Sequence, residues 1–231
     1  MNPAALPTAN LAPPSARQKQ ADDTRARLFM AAAQLFASEG YHETTVDKIA
    51  RQAGVAKGTF FVHFPTKGAV VTELVGIQTR AARKARDLVQ AEGPVARVRA
   101  AVIELGTQAG LSRGVSRAVL AATLENPEVG GTADALFGEV FSLMVKDARE
   151  AQKAGELAAS PEARVMASAL MASYLGATLY FTTSRESEPL LDILNPLVDA
   201  NITGFRSGLC KKESPHGSID RARRPRDRRA R

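Results

Sequence analysis

The chain predicts an all-α fold: an N-terminal three-helix unit containing a helix-turn-helix, followed by a larger C-terminal helical region. Three observations carry this reading. Apolar residues recur at helical spacing through most of the 231 residues, and the alternation of a half-buried strand is missing nearly everywhere. Gly and Pro fall mainly between the periodic segments, where they interrupt helices. The composition is 45% hydrophobic but only 5% aromatic, with no Trp, so the core must be mostly Ala, Leu, Val and Met, which suits packed helices.

Residues 1–22, rich in Pro and Ala at their start, read as a disordered arm without the apolar run of a signal peptide. Asp23 or Thr24 is the expected cap of a first helix running to about Ser38. Leu28, Ala32, Leu35 and Phe36 line one face of it, and Gly40 stops it. Thr44, with Asp47 three residues on, resembles a capping box for a second helix whose buried face is Ile49 and Ala50. Ala53-Gly54-Val55 makes a turn, with Gly54 able to take a left-handed conformation. A third helix opens with Ala56-Lys57-Gly58-Thr59 and buries Phe60 and Phe64. Two helices joined this way form a helix-turn-helix, whose second helix can enter a DNA major groove.

Pro65 ends that helix, and Thr66 is the expected cap of a fourth, to about Ala91. Gly93-Pro94 opens a fifth, with Val98, Val102 and Leu105 inward. Ser116 to Glu125 reads as a sixth, with Val119, Leu120 and Leu124 inward. Asn126-Pro127 and Gly130-Gly131 suggest a loop before a helix from Ala133 to Ala154. Its expected inner face is Leu136, Phe137, Val140, Phe141, Met144 and Val145. Ser160-Pro161-Glu162 is a start signal for an uncharged helix to about Thr183. Pro189 begins the last helix, striped by Leu191, Leu194, Val198, Ile202 and Phe205; Pro196 should kink it or shift its start.

Val165 to Ser184 is 20 residues without a charge, the length of a membrane span, but Ser168, Ser173, Gly176, Thr178 and Thr182 dilute it. It reads instead as a helix buried in a core or a dimer interface. The net charge is +7 and the pI about 9.8, yet residues 211–231 hold nine Lys or Arg against Glu213, Asp220 and Asp227. The basicity therefore describes a tail and says little about a DNA-binding surface. Cys210 is the only cysteine, so no intrachain disulfide can form, which fits a reducing cytoplasm.

The stretch LFASEGYHETTVDKIARQAGVAKGTFFVHFPTKGAVVTELV, within residues 28–75, resembles the TetR family of bacterial transcription regulators. Thr44-Thr45, Ile49-Ala50, Ala53-Gly54-Val55, Gly58-Thr59, His63-Phe64 and Lys67 fall at the family's motif positions. Ala56 stands where the family usually has a capping Ser or Thr, and Phe61 where a Tyr usually reaches a phosphate. Val62 replaces a frequent aromatic. The remainder is similar to the family only in layout.

Lys57 opens the recognition helix, where a long cation reaches guanine N7 and O6. Gly58 lets the backbone approach closely. Thr59 offers a hydroxyl to phosphate and a methyl to thymine, or serves the helix start. Thr45 lies at the amino end of the preceding helix, where amides favour a phosphate. The resemblance adds Phe61, His63 and Lys67 to this expected DNA-binding set.

The resemblance also implies a small-molecule pocket in the later helices. Candidate lining residues are Ile103, Leu120, Phe137, Phe141, Met144, Met171 and Tyr174; ordinary core is the competing reading for each. Small residues at Ala169, Ser173 and Ala177, and at Ala172 and Gly176, allow close helix approach and point to a homodimer built from the last two helices.

Three scattered histidines and one cysteine supply no zinc set, and no catalytic constellation or cofactor motif is present. The expected layout is an arm (1–22), a DNA-binding domain (23–66), a regulatory and dimerisation domain (67–210) and a basic tail (211–231). The expected function is a cytoplasmic, ligand-responsive repressor that binds double-stranded DNA as a dimer. A transcriptional activator or ligand-independent regulator is the alternative; a helical enzyme or interaction module with a basic tail is a third.

Overall fold

Ser15, rather than Asp23 or Thr24, caps the first helix in the computed structural model, which describes residues 15–207. Its hydroxyl accepts from the Gln18 amide, and α1 runs Ala16–Glu39, so residues 16–22 of the expected arm are helical. Side-chain pairs one turn apart, Gln18 with Asp22 at 3.0 Å and Arg27 with Asp23 at 3.1 Å, support the added turns. Thr24 donates back to the Gln20 carbonyl instead of capping. Most of the N-terminal arm, Cys210 and the basic tail lie outside the described residues.

The two threonines that precede α2 (Val46–Gln52) exchange their expected roles. Thr45 is the cap, accepting from the Lys48 amide at 3.3 Å. Thr44 is fully buried and donates to the Gly40 carbonyl at 2.7 Å. Gly54 then adopts φ 68°, a left-handed value that a Cβ would penalise, and turns the chain into α3 (Lys57–His63). Arg27 of α1 secures the turn by donating to the Ala53 carbonyl at 2.8 Å. Ala56 gives α3 no side-chain cap.

Thr66 caps α4 (Lys67–Leu88) through the Ala69 amide. A turn of 3-10 helix at Gln90–Glu92 leads to α5 (Pro94–Gly110). The sixth helix, α6 (Arg113–Glu125), starts three residues before the Ser116 signal because Ser112 caps it. Ser116 is buried, donating to the Ala109 carbonyl at 2.6 Å. Asn126 caps α7 (Pro127–Lys153) by accepting from the Glu128 and Val129 amides, and the helix runs through Gly130-Gly131. Burial of Val129 and Ala133 one turn apart offsets the roughly 1 kcal/mol each glycine costs a helix.

Glu162, not Ser160, precedes α8 (Ala163–Thr183), and no side chain caps it. The last helix, α9 (Leu190–Ser207), is continuous across Pro196, which sits on its exposed side. Among the described residues there is no strand.

Two apolar cores result. The first joins Leu28 and Phe36 of α1 to Ile49, Phe60 and Phe64. It is not closed at residue 66, because Val70, Val71 and Val75 of α4 and Ala118 and Ala122 of α6 belong to it. Gly114 shows how closely α6 meets α1: a Cβ there would stand 2.2 Å from the Ala37 carbonyl oxygen. The second core packs α5, α7, α8 and α9 through Leu105, Met144, Leu170, Phe181 and Leu194. α8 is apolar and long enough to cross a membrane, but its Met166, Leu170, Tyr174, Ala177 and Phe181 face is buried in this core.

Candidate nucleic-acid interface and helical-domain cavity

The recognition helix divides its residues cleanly. Phe60 is fully buried and Phe64 nearly so, their rings 5.6 Å apart, which fixes α3 against the first core. The opposite side presents Lys57, Gly58, Phe61 and Val62, with Phe61 50% and Val62 79% exposed. Thr59 and His63 flank this face and are partly exposed. Phe61 rests edge-on against Phe60, so the ring is positioned although half of it is free. Thr45 is exposed at the start of α2 while its hydroxyl serves as the cap.

Lys57 pairs with Asp47 at 2.7 Å, both side chains 55% exposed. Such an exposed pair is worth about 0–1 kcal/mol, so a phosphate or base can displace it at little cost. Lys67 is placed differently from the other expected contacts. Its ammonium donates to the Tyr41 and Thr44 carbonyls at 2.5 and 2.8 Å and lies 4.1 Å over the Tyr41 ring. Burial lowers its pKa from 10.5, with Glu43 acting in the opposite direction. This lysine ties the start of α4 to the loop between α1 and α2.

A second tie escaped the sequence reading. Arg25 of α1 forms an ion pair with Glu73 of α4 and lies 4.8 Å over the Phe64 ring. Its spacing from Glu73 has no local period, so only the fold brings the pair together.

The later helices enclose a cavity of about 540 Å³. Leu120, Phe137, Phe141, Met171 and Tyr174 line it as expected. Ile103 and Met144 do not: Met144 is fully buried in the second core, and Ile103 packs against that core. Leu124 was expected inward, but it is 83% exposed and contributes to the cavity rim. The sequence reading missed Gln78 of α4 and Thr178 of α8, both cavity-lining and both buried. Burial pushes the Tyr174 hydroxyl up to about 12, partly offset by the Thr178 hydroxyl, so the phenol is neutral at physiological pH.

Beside the cavity, α4, α5 and α7 are held by a buried ion cluster. Arg86 forks onto Asp147 at 2.6 and 2.8 Å, and Arg97 reaches the same carboxylate at 3.0 Å and also pairs with Glu150. Asp147 is completely buried.

The faces of α8 and α9 turned away from the core carry exposed apolar residues. Ala172, Leu175, Gly176 and Leu179 recur at helical spacing on α8, with Leu197 and Ala200 on α9. Ala177 is on the other side of α8, 2% exposed, and is core rather than interface.

A helix-turn-helix with an outward recognition face, coupled to a helical region around a cavity, defines a DNA-binding regulator of the one-chain, two-function type. Residues 28–74 match the model of the bacterial regulatory proteins of the tetR family. Residues 28–74 therefore form a DNA-binding domain of the TetR type, and the chain is a helix-turn-helix transcription regulator. It is 24% identical to the HTH-type transcriptional regulator UidR of Escherichia coli K12 over 141 residues, 61% of this chain and 72% of that one. Its fold is similar to FadR of Bacillus halodurans, a fatty acid degradation regulator, with TM-score 0.68, 20% identity, and 79% and 96% of the two chains covered. It is also similar to FadR of Bacillus subtilis, solved with stearoyl-CoA, with TM-score 0.66, 17% identity, and 78% and 98% covered.

Proposed function

We propose that this chain is a cytoplasmic homodimeric repressor whose grip on DNA is released when a small, mainly apolar molecule enters the helical-domain cavity. One observation carries this reading: α4 belongs to both sites. Its first turns are tied to the DNA-binding unit through Lys67 and Glu73, and its middle lines the cavity at Gln78. A ligand that favours one position of α4 by a few kcal/mol is enough to shift the population between DNA-binding and released states.

Lys57 reads a base edge in the major groove. Gly58 allows close approach, and Thr59 and the exposed Phe61 ring supply hydroxyl and apolar contacts, the latter suited to a thymine methyl. Thr45 and His63 contact phosphate. Lys67 supports this surface from behind. The exposed apolar face of α8 and α9 pairs with its copy, and the resulting two-fold axis places two recognition helices about 34–36 Å apart, in successive major grooves. The fold's likeness to a regulator solved with stearoyl-CoA makes an acyl chain a reasonable first occupant class to examine.

The test is fluorescence anisotropy of the full-length protein on DNA from immediately upstream of its own gene, against random DNA of equal length. A near-palindromic site bound by one dimer, with preference over random DNA surviving at physiological salt, is expected. Equal binding of both DNAs at every salt concentration would overturn the regulator's operator reading.

A further inference from the structure

Gln78 and Thr178 both line the cavity. Gln78 Oε1 is a buried side-chain polar atom that finds no hydrogen-bond partner among the described residues, while Thr178 Oγ1 has only the neighbouring Tyr174 hydroxyl to turn to. The residues are only 8% and 4% exposed, so bulk water does not serve them. Buried polar atoms are rarely left unpaired, and Gln78 Oε1 on the cavity wall marks a place where a polar group is expected to arrive. Much of the remaining wall is apolar, including Val119, Phe137, Phe141 and Met171.

The charges around the cavity narrow the chemistry. Among its lining residues only Arg164 and Asp134 are charged, and both are exposed. Arg164 lies 5.2 Å over the Phe141 ring. The nearby arginines of the ion cluster, Arg86 and Arg97, are already held by Asp147. Arg164 stands at the far end of α8 from Thr178, about 21 Å along the helix axis, so a carboxylate carried to Gln78 and Thr178 would be desolvated without a cation beside it. A hydroxyl group has no such cost. It donates to a carboxamide oxygen, and it can either donate to or accept from a threonine hydroxyl.

We propose that the cavity selects an uncharged, mainly apolar molecule bearing a hydroxyl group, and that this hydroxyl hydrogen-bonds to Gln78 on α4. The proposal rests on the reading of the cavity as the effector site and deepens it. It makes Gln78 the residue through which ligand chemistry reaches the helix that carries the ties to the DNA-binding unit.

The test uses full-length protein and three probes of matched chain length: 1-decanol, decyl methyl ether and decanoate. Each competes at neutral pH with the uncharged fluorophore N-phenyl-1-naphthylamine. Decanol is expected to displace it at about tenfold lower concentration than either of the others, because the ether and the carboxylate accept but cannot donate. Gln78→Met, of similar length and without the polar atoms, is expected to erase the preference for decanol over the ether while leaving ether binding intact. Should Gln78→Met fail to fold by circular dichroism, the ranking of the three probes on the unaltered protein decides. Equal competition by decanol and the ether, or stronger competition by decanoate, overturns the hydroxyl proposal and leaves the effector-cavity reading standing. Failure of the fluorophore and all three probes to bind overturns both.

Discussion

Two lysines ten residues apart, Lys57 and Lys67, carry the same charge and do different work. Lys57 projects from the recognition helix and is held only by an exposed pair with Asp47. Replacing it with Ala should weaken specific binding by about 1–3 kcal/mol and random-DNA binding much less; equal losses on both would make it a phosphate contact. Lys67 already spends its donors on Tyr41 and Thr44. Lys67→Met should lower unfolding stability by about 1–3 kcal/mol, since two carbonyls lose their partner. The slope of log affinity against log salt should stay unchanged, whereas a lost phosphate contact would reduce it by about 0.9. A pH signature accompanies it. Burial depresses the folded pKa of Lys67 below 10.5, so between the folded value and 10.5 the unfolded chain binds more protons. Its contribution to stability is therefore full above 10.5 and is lost as pH falls through the folded value. Chemical denaturation across that alkaline window should show stability rising with pH, and Lys67→Met should remove that part of the rise.

At the scale of the elements, α8 has two faces, and small residues lie on both. Ala177 packs into the protomer core, while Leu179, two residues on, is 55% exposed on the outward face. Leu179→Glu should give a folded monomer by sedimentation with unchanged helical circular dichroism, because an unpaired charge would be desolvated in the interface. Ala177→Glu should instead lower the melting temperature of the protomer. A Leu179→Glu protein that remains dimeric at micromolar concentration would place the interface elsewhere. The helices α4, α5 and α7 meet over Asp147, whose carboxylate is shared by Arg86 and Arg97, side chains only 11% and 10% exposed. Asp147→Ala should cost about 3–5 kcal/mol in denaturant unfolding, since it leaves two desolvated guanidinium groups with only the more exposed Asp87 and Glu150 as partners. A loss below 1 kcal/mol would show that the cluster is hydrated and contributes little.

For the whole molecule, charge separates recognition from general attraction. Nine of the 31 Lys and Arg residues lie in residues 211–231, against three acids, so +6 of the +7 net charge is carried there. Deleting that segment should flatten the salt dependence of binding to operator and random DNA alike, by about 0.9 in slope for each phosphate it neutralised. The preferred sequence should not change. Identical slopes before and after deletion would leave the tail without an electrostatic role, and an altered preference would show it reading a groove.

The helix-turn-helix was legible in the sequence because its signals are local: Gly54 at the turn, Phe60 and Phe64 one helical turn apart, and Pro65 after them. The helical stripes of α1, α5 and α9 were legible for the same reason, since a buried face repeats every three to four residues whatever it packs against. Boundaries were less so. Thr44 and Thr45 are adjacent and chemically alike, and only the packing of α1 against α2 decides which is buried and which caps. The same holds for Ser15 over Asp23 and for Gly130-Gly131 inside α7, where the Asn126 cap and the burial of Val129 and Ala133 together offset two glycines. The cavity was half visible, since five apolar stripe residues line it and Met144 and Ile103 do not; a stripe records burial, not whether the space beside it is filled. Gln78, Thr178, the Arg25–Glu73 tie and the Asp147 cluster left no trace in sequence spacing. Each joins helices distant in the chain, and their burial and partners exist only once those helices are packed.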